Sequence, residues 1–170
     1  LHSLPEQIVH RDVKSGNVLV SRAGDVKLAD FGLSVGQADE AELQRKAGTL
    51  QWMAPEILNG NAVGVKSDIW SVGVLLYEML NLKPPYANLT KEKVEELVKA
   101  GNSVPPMEVP CSDDATAFMN RCFQANPEDR PSAHELLEHN WLSVACRTEN
   151  ITGLGSAGNM MNSLKRFGIY

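Results

Sequence analysis

Between Ile8 and Asn17 the chain reads Ile8-Val9-His10-Arg11-Asp12-Val13-Lys14-Ser15-Gly16-Asn17. An imidazole, a guanidinium, a carboxylate, an ammonium and an amide thus stand close together. Thirteen residues after Asn17 comes a second acid, in Asp30-Phe31-Gly32. A carboxylate can accept a hydroxyl proton. Carboxylate and amide oxygens suit a hard cation, and an ammonium is a compact charge for an anionic group. Taken singly, however, an Asp in a loop is ordinarily a turn or cap residue. The setting has to decide.

The chain has 170 residues, 43% of them hydrophobic and 22% charged, which suits one soluble globular domain rather than a disordered segment. A net charge of −5 gives no reason to expect a nucleic-acid partner. No apolar run approaches the roughly 20 residues needed to span a bilayer; the most hydrophobic stretch, Trp70 to Leu80, contains Glu78. Cys111, Cys122 and Cys146 are odd in number and widely spaced, against a disulfide framework or zinc site and for a reducing, cytoplasmic setting. The first residue is Leu1 and no signal-like segment follows, as expected of a piece of a longer polypeptide. Asn150-Ile151-Thr152 matches a glycosylation acceptor, which carries little weight in a cytosolic protein.

The elements that must position these groups can be read in outline. Asn17-Val18-Leu19-Val20 and Asp25-Val26-Lys27-Leu28 are short β-prone runs around a turn-like Arg22-Ala23-Gly24-Asp25, and predict a small hairpin. Residues 34–48 are polar and lack periodicity, predicting a long exposed loop, a feature that tends to be functional. From Asp68 to Leu80 the pattern is helical and nearly apolar all round, as for a helix in the middle of a domain. Lys91 to Lys99 predicts an amphipathic helix with Val94, Leu97 and Val98 as its apolar stripe, and Ala115 to Phe123 another, opened by Ser112-Asp113-Asp114. Ser132-Ala133-His134-Glu135 has the spacing of a capping box. Residues 143–170 read as a tail.

The stretch from His10 to Asn17 resembles the catalytic loop of eukaryotic-type protein kinases, His-Arg-Asp followed five positions on by Asn. Asp30-Phe31-Gly32, Gly48-Thr49, Ala54-Pro55-Glu56, Asp68-Ile69-Trp70-Ser71-Val72-Gly73 and Arg130 follow in that family's order, so the resemblance covers residues 1 to about 142. It implies a mainly α fold: a protein-kinase-like C-lobe with a small β-hairpin beside the catalytic loop, the N-lobe absent. Residues 1–142 would be the kinase catalytic domain, incomplete at its N-terminus, and 143–170 the tail.

The activity implied is transfer of the γ-phosphoryl of MgATP to Ser or Thr of protein substrates. Such chemistry asks a protein to place the nucleophile and to neutralise spreading charge. By the resemblance, Asp12 orients the hydroxyl, Lys14 faces the transferring phosphoryl group and Thr49 bridges Asp12 and Lys14. Asn17 and Asp30 hold Mg²⁺, and Leu19 and Ala29 form the lower wall of the adenine pocket. Asp68 is expected to accept backbone N–H bonds from the catalytic loop, Glu56 and Arg130 to form a buried ion pair, and His10, Phe31, Trp70 and Trp141 to be packing residues. The wording around Lys14-Ser15-Gly16 and Trp52-Met53 is similar to kinases that phosphorylate other kinases and to tyrosine-kinase-like serine/threonine kinases. Protein substrates, other kinases among them, are therefore the expected partners.

One departure concerns Arg11. In kinases with this arginine a loop phosphate normally pairs with it, yet no Ser, Thr or Tyr lies between Ser34 and Thr49. Either Asp39, Glu40 or Glu42 supplies the countercharge, or the loop is simply acidic and solvated.

Gly153-Leu154-Gly155-Ser156-Ala157-Gly158 matches a glycine-rich phosphate loop but follows no convincing strand and is read as tail. The family's own glycine-rich loop, strand lysine and helix glutamate would precede Leu1, so the fragment alone is expected to be inactive. A pseudokinase or scaffold, or a truncated interaction module using the surface of residues 91–99, are the alternatives.

Overall fold

The computed structural model describes residues 1–61, 63–100 and 107–142. The segment expected to be a tail, with its glycosylation tripeptide and glycine-rich run, lies outside them. Strand β1 (Ile8–Val9) leads into the chemistry-bearing loop, which closes with a single 3-10 turn over Ser15–Asn17. Strands β2 (Val18–Val20) and β3 (Val26–Leu28) pair antiparallel in the register Val18↔Leu28, Leu19↔Lys27 and Val20↔Val26. Ser21 and Asp25 close that hairpin, with Gly24 taking the positive φ of 90° that a side chain resists.

The segment read as one long loop contains two further elements. Strand β4 (Val35–Gly36) pairs antiparallel with β1, and α1 (Glu40–Leu43) follows, its N-terminus capped by the Asp39 carboxylate. Two-residue strands are too short for alternation to register, and α1 offers a single buried apolar side chain, Leu43.

This corrects the expected fold class. A C-lobe, mainly α with one small hairpin and its N-lobe absent, is not what is found. Two separate two-stranded sheets, β1–β4 and β2–β3, occupy residues 8–36, and helices follow. A small β region leading into a helical body fits a two-part order rather than a C-terminal lobe alone. The second sheet escaped the sequence reading because its strands are joined only through space.

The helical body is organised by α3 (Val65–Asn81), preceded by α2 (Pro55–Asn59) and followed by α4 (Lys91–Lys99), α5 (Asp113–Cys122) and α6 (Ala133–Leu137). Pro55 at the first position of α2 and left-handed Gly60 after its end mark both termini. Thr90, Ser112 and Ser132 cap the next three helices through their hydroxyls, and Ser132 and Glu135 close the expected capping box at 2.6 and 3.2 Å.

Two apolar clusters meet on α3. Trp70 and Val74 join Val9, Met53, Ile57, Val94 and Val98 on one side. Ile69, Leu76, Tyr77 and Leu80 join Phe118, Met119, Cys122 and Leu136 on the other. A helix contributing to two clusters needs apolar residues around most of its circumference, which is why its pattern is so unbroken. Gly73 lets α5 approach closely, since a Cβ there would sit 2.7 Å from the Cys122 Cβ. No helix among the described residues is long and apolar enough to cross a membrane.

Candidate active site

Asp68, in the first turn of α3, fixes the loop that carries Asp12. Its two carboxylate oxygens accept from the backbone N–H groups of His10 and Arg11 at 2.8 and 2.9 Å, and His2 Nε2 lies 2.8 Å from the same carboxylate. The role of His2 gave no sequence signal. Arg11 takes a positive φ of 68°, a conformation a bulky residue holds only when its surroundings impose it. Asp68 is part of what imposes it.

From that anchor the chain delivers Asp12, Lys14 and Asn17 to one place. Lys14 Nζ donates to Asp12 Oδ2 at 2.6 Å and to Thr49 Oγ1 at 2.8 Å, while Thr49 Oγ1 donates to Asp12 Oδ1 at 2.7 Å. Asn17 Nδ2 donates to the Asp12 carbonyl at 2.8 Å and to Oδ2 at 3.0 Å. Burial works to raise the Asp12 pKa, but hydrogen bonds from Lys14 and Thr49, the Lys14 charge and the Asn17 amide outweigh it, and the carboxyl sits below its ordinary range. Asp12 is therefore an ionised carboxylate at neutral pH.

Asp30 arrives from the other side of the hairpin. The Ala29 N–H donates to the Asn17 carbonyl at 2.8 Å, extending the β2–β3 ladder by one pair, so Asn17 and Ala29 stand opposite each other and Asp30 follows directly. Asp30 also takes a positive φ, 62°, and its carboxylate accepts from the Gly32 N–H at 3.3 Å. His10 Nε2 lies 3.1 Å from the Ala29 carbonyl, and its ring meets Phe31 edge-on at 5.0 Å, so the two loops are packed together behind the acids. By alternation Leu19 and Ala29 share one face of the ladder; Leu19 is 57% exposed and Ala29 half-buried.

The donor set suits a hard divalent cation. Asn17 turns its amide nitrogen to Asp12, which leaves its side-chain oxygen as a ligand, and Asp30 adds a carboxylate. Among the described residues no three His, Cys, Asp or Glu gather to hold a metal. Mg²⁺ needs no such group, since it keeps several waters and takes one or two protein oxygens plus phosphates.

Several supports lie beyond the loop. Arg130 holds Glu56 with two parallel bonds, and Ser67 Oγ donates to the same Glu56 at 2.7 Å, tying α2 to the start of α3. Ser71 Oγ donates to the Trp52 carbonyl at 2.7 Å, fixing the segment after Thr49. Gly48 is required where it stands: its φ is 112° and a Cβ would run into the Arg11 carbonyl oxygen. Ser15 Oγ donates to Glu78 Oε1 at 2.7 Å, and Gln37 Oε1 accepts from the Val65 N–H at 3.0 Å. Neither Gln37 nor Glu78 was predicted, because both act across distances in sequence that no spacing rule spans.

Of the two alternatives for Arg11, an acidic countercharge from Asp39, Glu40 or Glu42 is not found: among the described residues no carboxylate pairs with it. Its guanidinium donates to the backbone carbonyls of Leu33 and Glu42, the latter at 2.6 Å, while the Glu42 carboxylate pairs with Arg45 and that of Asp39 caps α1.

Comparison with known proteins decides the family: the protein kinase domain matches residues 1–142. The chain belongs to the protein kinase family. The match runs through the β region and the helices alike, in keeping with the corrected fold. Relatives of this kinase chain include mitogen-activated protein kinase kinase kinase A of Dictyostelium discoideum, 39% identical over 78% of this chain and 14% of its own length. The serine/threonine-protein kinase STE20 of Saccharomyces cerevisiae is 41% identical over 84% of this chain and 15% of its own length. Serine/threonine-protein kinase shk2 of Schizosaccharomyces pombe is 36% identical over 90% and 26% respectively. The kinase chain thus spans about a seventh to a quarter of the length of these relatives. Their names place it with the serine/threonine kinases, a family whose members use ATP and a divalent metal.

Proposed function

We propose that this chain carries the phosphoryl-transfer centre of a serine/threonine protein kinase, acting from MgATP on protein hydroxyls. The observation that carries the reading is how the Asp12 carboxylate is used. Oδ2 accepts from Lys14 and Asn17 and Oδ1 from Thr49. A carboxylate offers about four acceptor positions, so one on Oδ1 stays open, beside a lysine, for a substrate hydroxyl.

The chemistry follows from that geometry. The hydroxyl oxygen bonds to the γ-phosphorus, the bond from that phosphorus to the departing ADP oxygen breaks, and the hydroxyl proton passes to Asp12. A depressed pKa makes Asp12 a weak base, which suits a loose transition state in which orientation matters more than early proton removal. Lys14 lies 2.6 Å from Oδ2 and would balance the negative charge that Asp12 and the phosphoryl oxygens share. Mg²⁺, when bound with the nucleotide, neutralises phosphate charge; Asn17 and Asp30 are the residues that would hold it, and Leu19 and Ala29 those that would lie beneath the base. Thr49 ties the segment that follows it to Asp12; on this reading that segment faces the protein substrate, so it and the carboxylate are positioned together.

The similarity to a kinase whose name marks it as acting on kinases favours other protein kinases among the substrates. The test is peptide-array phosphorylation by the native-length protein beside its Asp12→Asn variant. Asp12→Asn is expected to lower transfer by about 10²–10⁴-fold, the range for loss of a positioned acid or base. Undiminished transfer would remove Asp12 from this role, and labelling confined to tyrosine peptides would overturn the serine/threonine reading.

A further inference from the structure

The segment between the Asp30-Phe31-Gly32 turn and Thr49 has no Ser, Thr or Tyr from residue 35 to residue 48. A phosphate on a side-chain oxygen there cannot be what holds it in place. The segment is nevertheless tied along its whole length. Its start pairs as β4 with β1. Gln37 donates its N–H to the Gln7 carbonyl at 2.8 Å and accepts at Oε1 from the first N–H of α3 at 3.0 Å. Leu43 is buried in the core.

The decisive tie is Arg11. Its guanidinium is buried, and among the described residues it has no carboxylate partner. Nε donates to the Leu33 carbonyl at the start of the segment and an Nη donates to the Glu42 carbonyl nine residues on. The Glu42 carbonyl, in the last turn of α1, already accepts from the Arg45 N–H at 3.2 Å, and a carbonyl oxygen has a second acceptor position for the Arg11 donor. Two carbonyl dipoles thus stand where a charged group would otherwise be needed. Because the fork of Arg11 is planar and its donors fixed in direction, both carbonyls are held at once. The Lys46–Glu95 contact at 3.0 Å is exposed and adds little.

We propose that residues 33–48 are docked by the Arg11 fork on two of their backbone carbonyls and by the Gln37 side chain on α3, so that the site assembles without phosphorylation of residues 35–48. What the docking regulates rests on the reading of Asp12 given above; the docking itself does not.

Hydrogen exchange on native-length protein, stripped of phosphate by phosphatase as judged by intact mass, tests it. The amides of Gln37, Leu43 and Gln44 should stay protected and unchanged by the treatment. Arg11→Lys keeps the charge but not the fork, and should speed exchange of Leu43 and Gln44 about tenfold, as expected for loss of one charge-assisted bond, with α5 unaffected. Gln37→Ala should free the Gln37 region in the same way and serves if Arg11→Lys does not fold. Unprotected exchange in the stripped protein, protection that returns only on rephosphorylation, or two silent variants would overturn the proposal. A protected segment in a protein that phosphorylates no peptide would sink the functional reading while leaving the docking intact.

Discussion

Arg130 and Glu56, 74 residues apart in sequence, are joined by two parallel hydrogen bonds of 2.7 and 2.8 Å, with both side chains out of solvent. The remaining donors of Arg130 go to the carbonyls of Gln124, Ala125 and Lys66, and its guanidinium lies over Trp70 at 5.2 Å. Every donor on a buried charge is thereby used. Removing one partner strands the other. Glu56→Ala and Arg130→Ala should each cost about 3–5 kcal/mol of unfolding free energy. The replacement of both by apolar residues should cost clearly less than the two single losses combined, as read by urea denaturation.

Lys14→Met should lower kcat and leave KM for peptide nearly unchanged, since Lys14 touches Asp12 and Thr49 rather than the substrate-facing segment's outer surface. The same change removes a bond and a charge that hold the Asp12 pKa down, so that pKa should rise. Steady-state kinetics from pH 5 to 8 would check both.

The stability that Asp12 contributes has a defined pH window. Its folded-state pKa lies below the ordinary value of 3.8, so the folded state binds its proton less readily than the unfolded chain. The contribution is complete above the unfolded value and is lost as pH falls through the folded one. Thermal melts from pH 7 to pH 5 should therefore show no loss traceable to Asp12. The difference between the parent and Asp12→Asn should shrink only on further acidification.

Glycines at two positions are tests of close approach. Gly48→Ala puts a Cβ into the Arg11 carbonyl at a positive φ and should destabilise by about 1–3 kcal/mol, with transfer activity falling because Thr49 is adjacent. Gly73→Val should cost a similar ~1–3 kcal/mol by overpacking α3 against Cys122 and Phe123, but without a specific effect on kcat in the fraction that remains folded. Comparing folded fraction with activity per folded molecule separates the two.

The Cys122 thiol is pushed up to about 12, chiefly by burial. A thiolate is the reactive form, so Cys122 should resist iodoacetamide in the native protein at pH 8 and react only on unfolding. Mass spectrometry of the alkylated peptides reads this directly.

Much of the site was legible without coordinates. Asp12, Lys14 and Asn17 lie within six residues, and a 3-10 turn brings the last of them back onto the first. The hairpin that returns the chain to Asp30 could be read from two β-prone runs and a turn. Helix caps at Ser112 and Ser132 were equally local. What failed was of another kind. The β1–β4 sheet, the Gln37 cap on α3 and the Arg11 fork on two carbonyls all join residues that are distant in sequence, and all three use backbone atoms that every residue possesses.

The amino-acid order by itself therefore pointed to the groups that gather at the site and to the family the chain belongs to. Reactive side chains are few, differ in kind, and sit close along the chain, where spacing is meaningful. Only the tertiary structure decided how the segment after Asp30 is held and what answers the charge of Arg11. Carbonyl dipoles leave no mark in side-chain identity, and their direction exists only once the chain has folded.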